Sequence, residues 1–174
     1  MAGRISSNTS PESVWASYYE KTGNRPPRKT LLKALDAFGG EPPASGRLAV
    51  DLGCGSGRDT IEILKRHWPV VAVDAASEAI EQLLSRTDLP RGAIIDCQKS
   101  SYEDMVLPDC DLVNAGFSLP LCPKAVFKEV WRKIYSALRP GGRFSGQFYG
   151  DRDSWSGNPE MTHFTKSEEM TCLE

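Results

Sequence analysis

The sequence predicts an α/β fold, a doubly wound sheet of parallel strands with helices on both faces. Three observations carry that prediction. Short apolar runs recur at residues 48–52, 70–73, 92–96, 111–114 and 143–149. Segments of helical periodicity lie between them. The runs are continuously apolar rather than alternating, as in strands buried on both faces. Parallel strands need long crossover connections, which the helices supply in the right-handed sense. At 174 residues the chain fits one domain, since domains hold about 100 to 200 residues. A domain of this size buries roughly 70% of its unfolded surface, enough for a core without disulfides or metal.

The elements follow in order. Residues 1–10 are small and polar and are expected to be disordered. Ser10-Pro11 then opens a helix, serine as cap and proline at the first helical position, that runs to Lys21. Asn24-Arg25-Pro26-Pro27 interrupts the chain, and Leu31, Leu32, Leu35 and Phe38 recur at helical spacing until Gly39-Gly40 stops them. Residues 11–46 are therefore read as an N-terminal helical segment ahead of a core at 47–174. In the core, 48–52 ends in a glycine-rich turn, 60–68 is helical and 70–73 is the second strand. Ala79, Ile80, Leu83 and Leu84 line the next helix, and 92–96 and 111–114 are strands three and four. Val126, Phe127, Val130, Trp131, Ile134, Tyr135 and Leu138 mark a long amphipathic helix that Arg139-Pro140-Gly141-Gly142 terminates. Strand five is 143–149. Thr165-Lys166-Ser167-Glu168 fits a capping box opening a last helix.

Composition excludes several classes. The formal net charge is −2, so no basic excess exists to release counterions from nucleic acid. DNA and RNA are not expected as partners. Cys54, Cys97, Cys110, Cys122 and Cys172 are odd in number and scattered, without C-x-x-C or Cys/His ligand spacing. They read as reduced cytosolic thiols, and no metal site is expected. No leader-like apolar stretch or membrane-length apolar run occurs, so the chain is read as cytoplasmic without a membrane partner.

The informative stretch is Asp51-Leu52-Gly53-Cys54-Gly55-Ser56-Gly57-Arg58, where a strand turns into a helix. Glycines there let a backbone approach a ligand, and a helix start offers unpaired N–H groups. Arg58 stands where a dinucleotide fingerprint needs its third glycine, and no Gly-Lys-Ser/Thr follows, which disfavours pyrophosphate and P-loop ligands. Asp51, two residues before the first glycine, would repel phosphate and suits a positively charged group. Asp74 ends the next strand, where a carboxylate accepts both hydroxyls of a ribose. An acid near a cation and an acid near a diol together describe S-adenosylmethionine.

The stretches DLGCGSGRDT and VVAVDAAS resemble the first two motifs of class I S-adenosylmethionine-dependent methyltransferases. The likeness continues in order through DLVNAGFSL at 111–119 and LRPGGRF at 138–144. Arg58 and the Trp15, Tyr18, Tyr19 helix resemble the small-molecule branch that contains tellurite-resistance and thiopurine methyltransferases. The resemblance implies a Rossmann-like sheet of order 3-2-1-4-5. It implies that Asp51 and the backbone of Gly53, Cys54, Gly55 and Gly57 hold the methionine part, that Asp74 holds the ribose, and that Ala75 lies beside the adenine. The family often places an acid after strand three for the adenine amino group; here Ser101-Tyr102-Glu103-Asp104 fills that loop, with Ser101 at the acid position. Asn114, backed by Phe117 and Ser118, would face the transfer site. The family sheet has seven strands, the last two an antiparallel hairpin, and only five are readable here. A C-terminally truncated core, with strand five as an exposed edge open to self-association, is therefore expected.

Methyl transfer from a sulfonium is an in-line displacement, so alignment and exclusion of water dominate and no obligatory catalytic motif is expected. A thiolate or chalcogen oxyanion needs little help, whereas a hydroxyl or amine needs a base. His163 and His67 are read as surface or packing residues, which leaves Tyr18, Tyr19, Asn114 and Asp153 as catalytic candidates. Tyr18 and Tyr19 either close over the cofactor or pack their helix on the sheet. Asp153 lies in Asp151-Arg152-Asp153-Ser154-Trp155, directly after strand five, beyond the carboxyl ends of the strands where open α/β sheets bind ligands. The expected activity is methyl transfer to a small molecule, yielding S-adenosylhomocysteine. The alternative is a methyltransferase-like module that binds cofactor or partner without catalysis.

Overall fold

The computed structural model describes residues 22–23, 25–39, 46–154, 158 and 161–165. The N-terminal tail, the first helix with Tyr18 and Tyr19, and the helix after Thr165 lie outside the described residues. Helix α1 (Lys29–Asp36) follows the extended Arg28, whose neighbours Pro26 and Pro27 cannot continue a helix backwards. Leu31 and Leu35, one turn apart, are its buried face.

The core then alternates as expected: β1 (Ala49–Leu52), α2 (Thr60–Lys65), β2 (Val70–Asp74), α3 (Ser77–Leu84), β3 (Ile95–Lys99), β4 (Cys110–Ala115), a 3₁₀ turn (Leu119–Leu121), α4 (Lys124–Ala137) and β5 (Leu138–Gly146). The five strands form one sheet of order β3-β2-β1-β4-β5, all neighbours parallel. Alternate strand residues serve opposite faces. Ala49, Ala72 and Leu112 pack with Leu31, Leu35, Ile61 and Leu83. Val50, Leu52, Val73 and Val113 pack with Phe127, Val130 and Ile134 of α4. This doubly wound, Rossmann-like arrangement brings the carboxyl ends of β1, β2 and β4 together.

Several boundaries differ from the sequence reading. The third strand starts at Ile95, not 92, because β2 sets its register: Val70 pairs with Ile95 and Asp74 with Lys99. Gly92 is a left-handed turn residue, and Ile94, although apolar, is 69% exposed. Helix α2 stops at Lys65, and His67 takes a left-handed conformation before Trp68 is buried. The Arg139-Pro140-Gly141-Gly142 turn lies inside β5 as an irregularity, since Cys110 pairs with Leu138 but Leu112 already pairs with Arg143.

Strand five ends at Gly146. Tyr149 belongs to a separate two-stranded sheet, β6 (Tyr149–Gly150) and β7 (His163–Phe164), whose strands are parallel rather than a hairpin. Phe164 anchors this sheet in an aromatic cluster, with ring centroids 4.8 Å from Phe127 and 5.6 Å from Phe148.

Candidate functional site

The glycine turn begins where β1 ends. Gly53, Gly55 and Gly57 all have positive φ, between +53° and +86°, which favours glycine. Two of them are also needed for space. A Cβ on Gly53 would lie 2.3 Å from Ser118 Cβ, and one on Gly57 would lie 2.3 Å from Leu83 Cδ1. The loop after β4 therefore docks on the start of the turn, where the Ser118 hydroxyl donates to the Leu52 carbonyl at 2.5 Å. Helix α3 docks on the end of it.

The turn is stitched to β2. The Gly53 and Cys54 N–H groups donate to the Val73 carbonyl at 2.7 and 3.0 Å, and the Gly55 N–H donates to Asp74 Oδ2 at 2.8 Å. Asp74 Oδ1 accepts the Ala76 N–H at 2.9 Å. Burial pushes the Asp74 carboxyl above its ordinary range, and these backbone donors pull the other way. Cys54 is buried, and burial with the nearby Asp51 and Asp74 raises its thiol well above the ordinary value. It is an inert packing thiol, not a nucleophile.

Asp51 is 2% exposed, and each of its oxygens accepts a hydrogen bond. Its Oδ2 accepts from the Thr60 hydroxyl at 2.5 Å and its Oδ1 from Asn114 Nδ2 at 2.8 Å. The same amide reaches Asp59 Oδ2 at 3.2 Å. Asp59 in turn receives the Arg28 backbone N–H at 3.0 Å and Arg28 Nη1 at 2.8 Å. Burial, and next the charge of Asp59, raise the Asp51 carboxyl to about 6. Sheet register explains why these groups meet: Asp51 pairs with Asn114, and Asn114 pairs with Ser145 on β5. They form a polar row across three strands. Asn114 Oδ1 and Ser145 Oγ are buried without a hydrogen-bond partner among the described residues, as is Arg28 Nε. Such groups are rare, because an unsatisfied buried atom costs about 1 to 3 kcal/mol.

The structure thus brings Asp51, Gly53, Cys54, Gly55, Gly57, Asp74 and Asn114 to one place. Ala75 is exposed just beyond Asp74, and Ser101 and Tyr102 follow the end of β3, joined to β2 where the Ser100 N–H meets the Asp74 carbonyl at 3.0 Å. The Ser101 hydroxyl is taken up within its own loop, donating to Asp104 Oδ2 at 2.8 Å and accepting the Asp104 N–H at 3.1 Å. Tyr102 packs on the α4 side of the core. Asp153 lies in the turn after β6, where its N–H meets the Gly150 carbonyl at 3.1 Å. Sequence reasoning missed Arg28, Asp59 and Thr60. Asp59-Thr60 carried a local signal, two small polar residues opening a helix behind a glycine turn. Arg28 carried none, because only the fold brings it there.

The arrangement offers a cradle that side chains would fill, one carboxylate beside the turn's backbone donors and a second in a charged network. Those features fit a ligand with a diol at one end and a charged amino-acid group at the other. Methyltransferase domains, as a family, match residues 49–142 of the chain. An uncharacterized 37.1 kDa protein from a transposon of Streptomyces fradiae is 29% identical over 151 residues, covering 82% of this chain and 41% of that protein. Trans-aconitate 2-methyltransferase of Rhodopseudomonas palustris is 26% identical over 138 residues, covering 78% and 48%. The chain therefore spans less than half the length of these two relatives. Among solved structures, TehB from Haemophilus influenzae superposes with a TM-score of 0.69 at 15% identity, over 91% of this chain and 54% of that one.

Proposed function

The chain belongs to the methyltransferase domain family, and from that premise we propose that it transfers the sulfonium methyl of S-adenosylmethionine to a small-molecule acceptor. The observation that carries this reading is the Asp74 carboxylate held against the Gly55 N–H at the end of the glycine turn. A carboxylate fixed there can accept two neighbouring hydroxyls while the turn's backbone approaches the rest of the ligand. The name of the Rhodopseudomonas relative, a methyltransferase of trans-aconitate, supports a small acceptor.

In this reading Asp74 binds the ribose and Ala75 borders the adenine. Gly53, Cys54, Gly55 and Gly57 present backbone to the cofactor, and Asp51 faces its amino group. Ser101 and Tyr102 lie on the adenine side, where the carboxylate that Ser101 recruits is that of Asp104. The bound cofactor supplies an activated methyl group. The residues of the chain orient it, keep water out and position the acceptor near Asn114, whose Oδ1 is a buried acceptor without a partner among the described residues. Tyr18, Tyr19 and Asp153 remain candidates for contacts with the acceptor.

Replacing Asp74 with alanine is expected to weaken S-adenosylhomocysteine binding about 10- to 150-fold in calorimetry, the worth of charge-assisted hydrogen bonds. Unchanged binding removes Asp74 from the site. Labelled cofactor, offered with a panel of thiols, tellurite, selenite, phenols, amines and carboxylates, tests turnover. Methylated product in proportion to one acceptor class is expected; binding without turnover for every class favours the non-catalytic alternative.

A further inference from the structure

We infer that Arg86, just past the end of α3, is a positioning residue: its guanidinium fixes the glycine turn to the segment ahead of α1 and so presets the backbone that receives the cofactor. The inference rests on the cofactor reading above, in which the turn meets the ligand and Arg86 acts only through the turn.

Four hydrogen bonds leave this one side chain. Nε and Nη2 donate to the two Asp88 oxygens, at 2.8 and 2.9 Å, a bidentate pairing that sets the plane of the fork. Nη1 then donates to two backbone carbonyls, that of Gly23 at 2.9 Å and that of Ser56 at 3.2 Å. Ser56 belongs to the turn and Gly23 to the segment ahead of α1. The Asp88 side chain is 43% exposed, and an ion pair so open to water contributes little stability by itself. Its effect is to aim Nη1 at the two carbonyls.

The stem of Arg86 is placed as specifically as its head. A Cβ on Gly57 would lie 3.5 Å from Arg86 Cδ, so the stem runs along the turn beside Gly57. The Gly57 N–H closes the turn on the Cys54 carbonyl at 3.0 Å. The peptide between Ser56 and Gly57 is therefore held at both ends, by its N–H from within the turn and by its carbonyl from Arg86. Glycine's wide φ/ψ range would otherwise leave this peptide free to rotate. The other stretch is fastened in the same way: Arg58 Nε donates to the Pro26 carbonyl at 2.7 Å, and Arg28 binds Asp59 through its N–H and Nη1. A turn already held in one conformation loses less freedom when a ligand docks, so the clamp raises affinity without touching the ligand.

The test measures S-adenosylhomocysteine affinity by calorimetry and amide exchange on the whole chain. Arg86→Met keeps the stem beside Gly57 and loses the fork. It should weaken binding about 5- to 30-fold and speed exchange at Gly23, Arg25, Ser56 and Gly57, with β1 and β4 unchanged. Arg86→Lys keeps the charge without the fork and should fall between. Asp88→Asn leaves Arg86 in place but loosens its aim; it should weaken binding about 2- to 5-fold, which keeps the test usable should the Arg86 variants fold poorly. A clamp that served stability alone would lower the denaturation midpoint and leave the affinity of the folded chain unchanged, and that result overturns the inference. Faster exchange spread evenly over the sheet overturns it as well. Failure of the parent protein to bind S-adenosylhomocysteine overturns the cofactor reading, and this inference with it.

Discussion

Asp51 shows how one residue's setting becomes a measurable property. An ordinary aspartate ionises near 3.8 and the folded Asp51 near 6, burial being the larger cause and Asp59 the next. Between those values the native chain holds a proton that the unfolded chain has released, so this residue's contribution to stability declines as pH rises through that window. Asp51→Asn removes the titration, and urea midpoints of parent and variant are expected to diverge between pH 4 and pH 7, the parent losing ground as pH rises. Binding has the opposite sign. A cation held by Asp51 needs the ionised carboxylate, so affinity for S-adenosylhomocysteine should fall about tenfold per pH unit below 6 in the parent and stay flat in Asp51→Asn. A flat parent profile would show that Asp51 does not face the ligand's cation. The residue type was legible in the sequence, as an acid before a glycine turn. Its environment was not, because Asn114 reaches it only across strand pairing and Asp59 only through the folded course of the turn.

At the scale of elements, the glycine turn and the aromatic cluster do the joining. Gly57 has φ +86° and its missing Cβ leaves room for Leu83, whereas Gly92 has φ +75° with open space around it. Gly57→Ala should therefore cost about 2 to 5 kcal/mol, backbone strain plus overpacking, against about 1 to 2 kcal/mol for Gly92→Ala. Chemical denaturation of both variants checks the difference; equal costs would mean that α3 moves aside freely. Phe164, 6% exposed, joins β7 to α4 through Phe127. Phe164→Ala should cost about 3 to 5 kcal/mol. It should also speed amide exchange in β6 and β7 more than in β1 and β2, since Phe164 is the buried anchor of the small sheet. This sheet had no signal in the sequence. Its strands are two residues each, too short for periodicity, and Thr162 sets their position through its N–H to the Pro120 carbonyl and its hydroxyl to the Cys122 carbonyl.

For the whole molecule, the sheet order leaves two edges. Among the described residues β5 pairs only with β4, so its other side presents backbone N–H and C=O groups that another strand can use. Concentration-dependent association in sedimentation velocity is the expected behaviour, and a monomer at all concentrations argues against a free edge. The sequence determined the alternation of strands and helices, the class of the sheet, the glycine turn and its two acids. Each of these is local: a run of apolar residues, a helical period, a strained turn, an acid at a strand end. Strand boundaries at β3 and β5 were decided by the tertiary structure, because register belongs to a pair of strands and not to one. The same holds for the site's charge network. Arg28, Asn114 and the Asp51–Asp59 turn come from three separate stretches, and parallel pairing with α1 packed against β5 gathers them into one buried group. Hydrogen bonds and charge interactions act over a few ångströms of space, whatever the separation along the chain. Composition and spacing therefore pointed to a candidate site, and only the packed fold brought Arg28, Asp59 and Asn114 to Asp51.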